Sequence, residues 1–548
     1  MLLRLELENF KPFATSTVVK LAPITLIYGP NSGGKSSIIQ ALMAIRQSIN
    51  TPVDESRPLV SNGRFVDLGS FKSLVHRHDS SRTVRLGIHF DDVNRWQGDE
   101  SVSPMFVQAR RYSINSRRVT LSYSATESGR SDLTAVNYAQ DGDHCFDIIL
   151  RKAAKKDLSK KWRRAGISAR AAAVYTWLDR KSVESYRQAL SSFSSTFLGR
   201  VRRDAQRREA EVRHLEEQFR RSLNQISKLT GDVTEIQSKY LLDLQSRIHE
   251  IKSRESREIE SHELMLLGLD DAIVVATGAL PDTIALPPEA LEGADALYPR
   301  SMMRRRSGEL LERFVSDFTA IVDGMRYLGP LRSYPLRQYV ITGSSGDSVG
   351  RSGEFTAFLL HQSDSAVLDS TNRWFRQFGI PYLVDTGVAG TEMLGDILTV
   401  SLTDRSGVAV TPADVGFGIG QLLPILVEGT VASRSLICVE QPEIHLHPRL
   451  QAHIADFLIA TAKTSTTSDE EGVGRNQWIV ETHSESLMLR IQRRIREGKI
   501  SPSDVSVIFV EPSLEGSRVH HIGLTDKGEF LSEWPGGFFE EDFDEMMD

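Results

Sequence analysis

The chain of 548 residues is too long for one compact core and long enough for two or three domains. Its composition, 40% hydrophobic and 25% charged, is that of a folded globular protein and excludes wholesale disorder. Two cysteines, Cys145 and Cys438, are too few for a disulfide framework, and no apolar run reaches the roughly 18 residues that span a bilayer. We therefore expect a cytoplasmic multidomain protein without a membrane segment.

Charge is distributed unevenly, although its net value is only −6. Residues 151–180 contain ten Lys or Arg and two Asp, whereas residues 511–548 contain eleven acidic and two basic residues. Inside the basic segment only Asp157 and Lys161 are spaced for a helical i,i+4 ion pair. Two interpretations of this segment stay open, a contact with nucleic-acid phosphates and a solvated helix surface, and the acidic segment is interpreted as a tail.

The N-terminal part of the chain has the pattern of an α/β domain. Apolar and charged residues alternate over 3–8, and a mostly apolar stretch over 24–28 predicts a buried strand. A helix is predicted over 35–47. Strand-like alternation returns over 83–90 and 119–123, so we expect a first lobe that mixes strands and helix.

Between the buried strand and the helix lies a glycine-rich loop with one lysine. Residues 29–36 read Gly-Pro-Asn-Ser-Gly-Gly-Lys-Ser and match the pattern G-x-x-x-x-G-K-[ST]. Such a loop directs backbone N–H groups at the phosphates of a nucleotide, while Lys35 reaches the β- and γ-phosphate oxygens and Ser36 binds Mg²⁺. A chance match is the alternative, and the strand–loop–helix setting argues against it. The predicted phosphate-binding residues are Gly29, Asn31, Ser32, Gly33, Gly34, Lys35, Ser36 and Ser37.

A helix-forming, charged stretch follows over about 155–265, where Gly and Pro are rare. Apolar residues recur there at steps of three and four over 212–251, which is typical of a packed helical seam. Gly231 is suited to end one helix, and Asp232 with Glu235 forms a capping box that begins the next. We predict a helical hairpin with its tip near Gly231, with one uninterrupted helix as the alternative.

Two further motifs lie in the C-terminal part. Residues 416–421 are rich in glycine and lead into an apolar helix, which gives a second helix N-terminus suited to a phosphate from another subunit. Residues 435–440 form an apolar strand that ends in Glu440, and Glu443 follows shortly after. Because ligands bind at the carboxyl ends of parallel strands, Glu440 is the candidate acid for Mg²⁺; a solvated acidic loop is the alternative.

In combination, these motifs resemble the ABC-type ATPase heads of the SMC, RecF and OLD families. The order is the same: Walker A loop, helical insertion, signature motif, Walker B acid and a switch histidine. The resemblance implies that Gly418, Gly420 and Gln421 contact the γ-phosphate in trans, that Glu440 is the Walker B acid and that His483 is the switch histidine. A histidine at a strand end is, taken alone, more often structural.

The same resemblance implies an architecture and an assembly. We expect an α/β fold, an ABC-type P-loop head with a mixed sheet and two lobes, interrupted by a helical or coiled-coil insertion. The parts would be an N-terminal lobe over 1–150, the insertion over 151–300 and a C-terminal lobe over 301–548. ATP and Mg²⁺ are the expected cofactors. A homodimer, or a higher even oligomer, would form through the ATP sites.

Five stretches resemble, more narrowly, a group of bacterial AAA-type ATPases that carry a C-terminal region of unknown function. This group includes ATPase subunits of anti-phage systems such as Septu, in which an HNH nuclease is the partner. The resemblance implies a regulatory or sensor subunit that gates an effector, an HNH or Toprim-type nuclease. The alternatives are a RecF-like DNA-repair clamp and a non-hydrolysing ATP-bound scaffold. The stretches are 65–71, 327–332, 416–421, 440–448 and 534–538.

The chain departs from most ABC heads directly after the Walker B acid. Gln441 stands where those heads have the glutamate that activates the attacking water. An amide orients a water molecule but does not accept its proton at neutral pH. We therefore expect slow hydrolysis, with Glu443 as a substitute base or with ATP acting as a clamp that opens rarely.

Two other functions are excluded by their residue patterns. A Toprim nuclease needs a strand-end glutamate and a later Asp-x-Asp, but Glu511 is followed by proline, and Asp542 with Asp544 is better interpreted as acidic tail. His445 and His447 have the spacing of metal ligands without a third Cys or His nearby, so we expect them at a dimer seam and not at a metal.

Overall fold

A computed structural model describes residues 1–50, 58–91, 116–140, 146–153, 173–230, 234–276, 280–287, 300–340, 346–363, 365–391, 395–462 and 476–535. The chain divides into two compact units. One comprises Met1–Pro52, Arg57–Leu133 and Asp317–Asp548, and the other comprises Val53–Ser56 and Thr134–Ser316. The three functional parts expected from the sequence stay predictions of domain organisation.

Strands and helices are interspersed along the described part of the chain, and each kind is numbered in chain order. The strands are β1 (Leu2–Glu8), β2 (Thr17–Lys20), β3 (Ile24–Tyr28), β4 (Val84–Asp91), β5 (Ser116–Ala125), β6 (Ser131–Gln140), β7 (Phe146–Ala153), β8 (Ala173–Trp177), β9 (Ile273–Ala276), β10 (Thr283–Ala285), β11 (Met325–Leu328), β12 (Tyr339–Val340), β13 (Tyr382–Thr391), β14 (Gly395–Asp404), β15 (Ala409–Val410), β16 (Leu436–Glu440), β17 (Gln477–Glu481), β18 (Val505–Glu511) and β19 (Arg518–Ile522). The helices are α1 (Lys35–Asn50), α2 (Phe71–Leu74), α3 (Arg180–Thr230), α4 (Thr234–Leu267), α5 (Arg300–Asp323), α6 (Thr356–Gln362), α7 (Ser365–Gln377), α8 (Phe417–Val431), α9 (Pro448–Thr461) and α10 (Glu485–Arg496).

A six-stranded sheet with the order β11-β16-β17-β3-β18-β19 lies at the centre of the first unit. Its first five strands are parallel, and β19 is antiparallel to β18. Every residue of β3, β16 and β17 is buried, as expected for parallel strands covered on both faces. Because parallel strands end at one edge, the residues that follow Tyr28, Glu440 and Glu481 come together there.

Two groups of antiparallel strands complete the first unit. β5, β4, β1 and β2 are neighbours in that order, and β12, β14 and β13 form a smaller sheet with β15 beside β14. The core behind the central sheet contains Trp478 and Phe457, both fully buried. A Cβ atom at Gly429 of α8 would lie 2.5 Å from the Phe457 ring, so glycine lets α8 approach this layer closely.

The second unit has its own antiparallel strands and an aromatic core. β10, β9, β8, β7 and β6 are neighbours in that order. The ring of Phe146 lies 5.5 Å from that of Tyr138, 5.4 Å from that of Tyr186 and 6.4 Å from that of Phe314. The Tyr186 hydroxyl donates to the carbonyl of Ser307, so its polar end is satisfied inside the core.

The helical insertion consists of two long helices, α3 with 51 residues and α4 with 34. The Phe219 and Tyr240 rings are 4.2 Å apart, and Lys252 lies 3.3 Å from Glu209. A residue earlier in α3, Glu209, contacts a residue later in α4, Lys252, so the two helices are antiparallel. Two helices, not one continuous helix, are present; Gly231, near which the tip was predicted, lies outside the described residues.

One prediction for this region is wrong. The helical pattern was expected from about residue 155, but Ala173–Trp177 is strand β8 and the helix begins only at Arg180. The β-branched and aromatic residues of this segment pair with β7 and β9, and Val174 and Tyr175 are buried. Residues 154–172 lie outside the described residues, so the two interpretations of the basic segment stay open.

The predicted fold class is confirmed: the structure is α/β and contains a helical insertion. No helix of the described residues has the length and apolarity needed to cross a membrane. Cys438 is a free, buried cysteine, and Cys145 lies outside the described part of the chain.

Candidate functional site

The glycine-rich loop 29–36 joins β3 to α1, which begins at Lys35. Three of its residues have positive φ: Gly29 at 141°, Ser32 at 64° and Gly34 at 101°. A Cβ atom at Gly29 would lie 2.4 Å from the carbonyl oxygen of Val510, and one at Gly34 would lie 2.5 Å from the ring of Pro12. Glycine is therefore required at both positions by backbone conformation and by space.

Lys35 lies inside this loop, with 4% of its surface exposed. Its ammonium donates hydrogen bonds to the carbonyl oxygens of Gly29, at 2.9 Å, and of Pro30, at 2.8 Å. Burial lowers the pKa of Lys35, and the carboxylates of Glu481 and Glu443 partly offset that effect. The lysine is thus held on the loop beside two acidic groups.

Ser36, the predicted magnesium ligand of the loop, contacts an acid that sequence analysis did not select. Its hydroxyl donates to Oε1 of Glu481 at 3.0 Å. Glu481 is the last residue of β17, and β17 lies between β16 and β3. An available signal was overlooked: β17 ends in a carboxylate after apolar residues, as β16 does with Glu440.

Glu440, the predicted Walker B acid, is 6% exposed and held from several sides. Its Oε1 accepts a hydrogen bond of 2.9 Å from the Tyr327 hydroxyl. Arg332 donates to the backbone carbonyls of Glu440, at 2.8 Å, and of Gln441, at 3.2 Å. Burial, followed by the negative charge of Glu481, raises the pKa of Glu440 to about 7. Tyr327 and Arg332 position Glu440. Both lie in 327–332, one of the stretches that carry the family resemblance, but no role was predicted for either.

The residues after Glu440 form a strained turn. Gln441 has a positive φ of 47°, and its backbone N–H donates to the carbonyl of Glu481 at 2.7 Å. The Glu443 carboxylate accepts from the Thr482 hydroxyl at 2.7 Å and from the backbone N–H of His483 at 2.8 Å. Burial raises the pKa of Glu443. This turn is therefore tied to the end of β17.

His483, the predicted switch histidine, follows β17 directly and lies near Lys35. Its pKa is lowered, first by burial and then by the positive charge of Lys35. The next residue, Ser484, caps α10 by accepting the backbone N–H of Leu487. The phosphate loop, Glu440, Glu443 and His483 thus all lie at the carboxyl edge of one sheet.

The predicted signature residues lie in the first turn of α8, beside the loop that follows Glu440. A Cβ atom at Gly418 would lie 2.7 Å from the carbonyl oxygen of His445, and one at Gly420 would lie 2.4 Å from the ring of Pro335. The Gln421 amide donates to the carbonyl of Arg332 at 3.4 Å. Both 416–421 and the phosphate loop are described in full, and no hydrogen bond joins them.

The oxygen donors at the sheet edge fit a magnesium ion bound with a nucleotide. Among the described residues, no group of three or more His, Cys, Asp or Glu could hold a metal by itself. Mg²⁺ in nucleotide sites takes only one or two protein ligands, because phosphates and water supply the rest. Ser36, Glu440 and Glu481 offer such ligands, and Oε2 of Glu481 is buried without a hydrogen-bond partner.

The two histidines excluded as metal ligands have other contacts. The ring of His445 packs edge-on against Phe417 at 4.8 Å. Nδ1 of His447 accepts from the backbone N–H of Arg449 and caps α9. Their exclusion as metal ligands and their place at a dimer seam both stay predictions.

A phosphate loop between a buried strand and a helix, with acids at the ends of neighbouring strands, defines a P-loop ATPase that binds ATP. A family model for the AAA ATPase domain matches residues 1–167 and 359–488, which together make up more than half of the chain. The chain belongs to this AAA ATPase family. No curated protein matches the chain.

Solved structures with some similarity include SMC head domains. The Smc head domain of Pyrococcus furiosus with an extended coiled coil, bound to the C-terminal domain of ScpA, is 12% identical, with 95% of this chain and 96% of that chain covered and a TM-score of 0.35. The Smc head domain of Pyrococcus yayanosii is 12% identical, with 96% and 98% covered and a TM-score of 0.36. The SMC head domain of Thermotoga maritima is 9% identical, with 95% and 99% covered and a TM-score of 0.34. Scores this low add nothing to the assignment, which rests on the family match and on the site.

Proposed function

We propose that this ATPase is a switch that dimerises on ATP: two copies close face to face, and each nucleotide lies between the phosphate loop of one copy and the signature residues of the other. One observation carries the proposal. Gly418, Gly420 and Gln421 are placed beside the loop after Glu440, without a hydrogen bond to the phosphate loop of the same copy. The N-terminus of α8 would then bind phosphate across the interface.

In this function, each site residue has a role that its chemistry supports. The backbone N–H groups of Gly29 and 31–34 and the Lys35 ammonium bind the phosphates. Ser36 and Glu440, the acid that the sequence pattern selects, would hold Mg²⁺, which would neutralise phosphate charge. His483, whose pKa is lowered by burial and by the charge of Lys35, would contact the γ-phosphate as a neutral imidazole.

Slow hydrolysis is part of the proposal. Gln441 lacks a group that accepts a proton at neutral pH, and both oxygens of Glu443 already accept hydrogen bonds from Thr482 and His483. Glu443 is the candidate base on the turn after Glu440, with a raised pKa that suits a proton acceptor. ATP would therefore hold the dimer closed for a long time. Single-turnover phosphate release, compared between wild type and Glu443→Gln, separates the two cases: loss of release in the variant alone identifies Glu443 as the base, and no release from either protein favours the ATP-bound scaffold.

The biological role follows from the family resemblance. We infer a cytoplasmic regulatory subunit of a bacterial anti-phage complex, in which α3 and α4 transmit dimer opening to an effector nuclease. A plaque assay that uses the chain with its neighbouring genes tests this role. Protection should be lost in Lys35→Ala; protection that persists in this variant contradicts the switch, and DNA-stimulated ATPase activity without any effector favours the RecF-like clamp.

Dimer closure is tested with a variant that leaves the fold intact. Gly416 precedes α8 with φ −54° and ψ 141°, and a Cβ atom there meets nothing within 4 Å. Gly416→Glu therefore fits the monomer but brings a carboxylate to the surface where a second phosphate would bind. Gly346, also open around its Cβ position, provides the matched control Gly346→Glu.

The measurement is molar mass by light scattering, with and without Mg²⁺ and ATP. Wild type and Gly346→Glu should dimerise with ATP, Lys35→Ala should not bind ATP, and Gly416→Glu should bind ATP as a monomer. A mixture of Lys35→Ala and Gly416→Glu should form heterodimers, because one composite site in such a pair is intact. The proposal fails if Gly416→Glu dimerises normally or if Lys35→Ala binds ATP and dimerises as wild type does.

A further inference from the structure

Glu481 has a carboxylate that the interactions described so far use only in part. The residue ends β17 with 4% of its surface exposed. Oε1 accepts the hydrogen bond from Ser36 at 3.0 Å, whereas Oε2 is buried and accepts no hydrogen bond. A buried carboxylate oxygen without a partner is unfavourable, because the water it loses is not replaced. Its persistence in a nucleotide site indicates a ligand that arrives with the nucleotide.

The charges around Glu481 point to a cation as that ligand. Glu440 and Glu443 are buried carboxylates close enough to influence the same site. The nearest ammonium, that of Lys35, donates its hydrogen bonds to two carbonyl oxygens and not to a carboxylate. Within the described residues no salt bridge neutralises these three acids, so a divalent cation would relieve their mutual repulsion.

Glu481 is better placed for this cation than Glu440. The strand order β16-β17-β3 puts β17 directly beside the strand that leads into the phosphate loop, and it leaves β16 one strand further away. In register, Glu481 is opposite Ile27 of β3 on one side and Glu440 on the other. Glu440 is held by the Tyr327 hydroxyl, whereas Glu481 already contacts Ser36.

We propose that Glu481, through Oε2 and beside the Ser36 hydroxyl, is the protein carboxylate that binds the magnesium ion of MgATP, and that Glu440 acts behind it. The inference rests on the nucleotide site of the proposed function. The proposed metal ligand is therefore Glu481, at the end of β17, and not Glu440, at the end of β16. It also gives a role to an acid that the phosphate-loop and Walker B patterns do not include.

The test compares two isosteric variants, Glu481→Gln and Glu440→Gln. Calorimetric titration measures the Kd for ATP with Mg²⁺ and with a chelator in its place. Wild type should bind MgATP more tightly than metal-free ATP. Glu481→Gln should lose most of the affinity that Mg²⁺ adds for ATP, whereas Glu440→Gln should lose less of it. Metal-free ATP should bind Glu481→Gln at least as tightly as wild type, because a negative charge near the phosphates is gone.

The outcomes are distinguishable. If Glu440→Gln loses the advantage of Mg²⁺ and Glu481→Gln keeps it, the inference is overturned and the sequence-based ligand is restored. If wild type binds ATP equally well with and without Mg²⁺, the inference fails while ATP binding stands. If wild type binds no ATP at all, the proposed function itself fails. Should Glu481→Gln not fold, Glu481→Asp keeps the charge but shortens the reach, and an unchanged Mg²⁺ advantage in that variant overturns the inference.

Discussion

Glutamates have opposite environments at the carboxyl edge of the central sheet and on the helices α3 and α4. On α3, Glu217 lies 3.5 Å from Arg221, with 66% and 80% of their side chains exposed. At the sheet edge, Glu440 and Glu481 are almost fully buried and form no salt bridge within the described residues. Exposed i,i+4 pairs are screened by water and contribute little, whereas buried unpaired acids are costly and therefore mark a site. Burial and partners, not residue type, separate surface from function.

The largest effect is expected from removing Arg332, whose guanidinium supports the carboxyl edge of the central sheet. Arg332 is 4% exposed and donates to the carbonyls of Glu440 and Gln441. Arg332→Ala leaves both carbonyls without donors and removes a positive charge near two acids. We expect the free energy of unfolding to fall by about 3 kcal/mol, measured by urea denaturation. The matched control is Arg337→Ala, which removes a side chain that is 68% exposed and should change stability little; equal losses in both variants would contradict a structural role for Arg332.

The local parts of this site could be predicted from sequence. The phosphate loop and the strand that ends in Glu440 are each continuous segments with a strong pattern, and both lie where expected. Glu481 was overlooked because its importance depends on β17 lying between β16 and β3, and such a strand order is a long-range property. Arg332 carries no local signal either, since its partners are carbonyls more than a hundred residues away.

The helical insertion also shows that local sequence patterns predict long helices better than short strands that depend on distant partners. The long helices were predicted correctly because apolar residues recur at helical spacing over many residues, but Leu215 and Tyr240 of the predicted seam are exposed. Strand β8 was missed because five residues, Ala173–Trp177, adjoin a charged stretch that favours helix. Pairing with β7 and β9 decides their conformation, and those partners are distant in sequence.

A second prediction concerns pH in the nucleotide-free protein with a chelator present. Burial and Glu481 raise the pKa of Glu440 from 4.5 to about 7, so the folded state holds its proton more tightly than the unfolded state does. This acid therefore costs no stability below about pH 4.5, and stability is lost as the pH rises toward 7. Glu440→Gln removes the cost, so at pH 8 the variant should exceed wild type by on the order of 2 kcal/mol, with no difference at pH 4.

The control for this prediction is Glu497, an acid whose pKa is lowered in the folded state and not raised. Arg493, and then Arg494 and Lys499, lower the pKa of Glu497 to about 2. Its contribution to stability is present above the pKa of the unfolded state and is lost in acid. Glu497→Gln should therefore not gain in thermal midpoint as the pH rises. If both Glu440→Gln and Glu497→Gln gain stability over wild type as the pH rises, or if neither does, burial does not determine the direction of the pH dependence.

The smallest effect is expected on α3. Glu217→Gln removes the ion pair with Arg221, whose two side chains are mostly exposed. The loss should be about 0.3 kcal/mol at low salt and should vanish at 1 M salt, because the Debye length there is only ~3 Å. Urea denaturation of Glu217→Gln and Glu440→Gln at both salt concentrations measures the contrast directly. The effect at Glu440 should persist in high salt, since it comes first from burial, which salt does not screen. A salt-independent loss at Glu217 would mean that the helix surface is not simply solvated, and the distinction between the two regions would fail there.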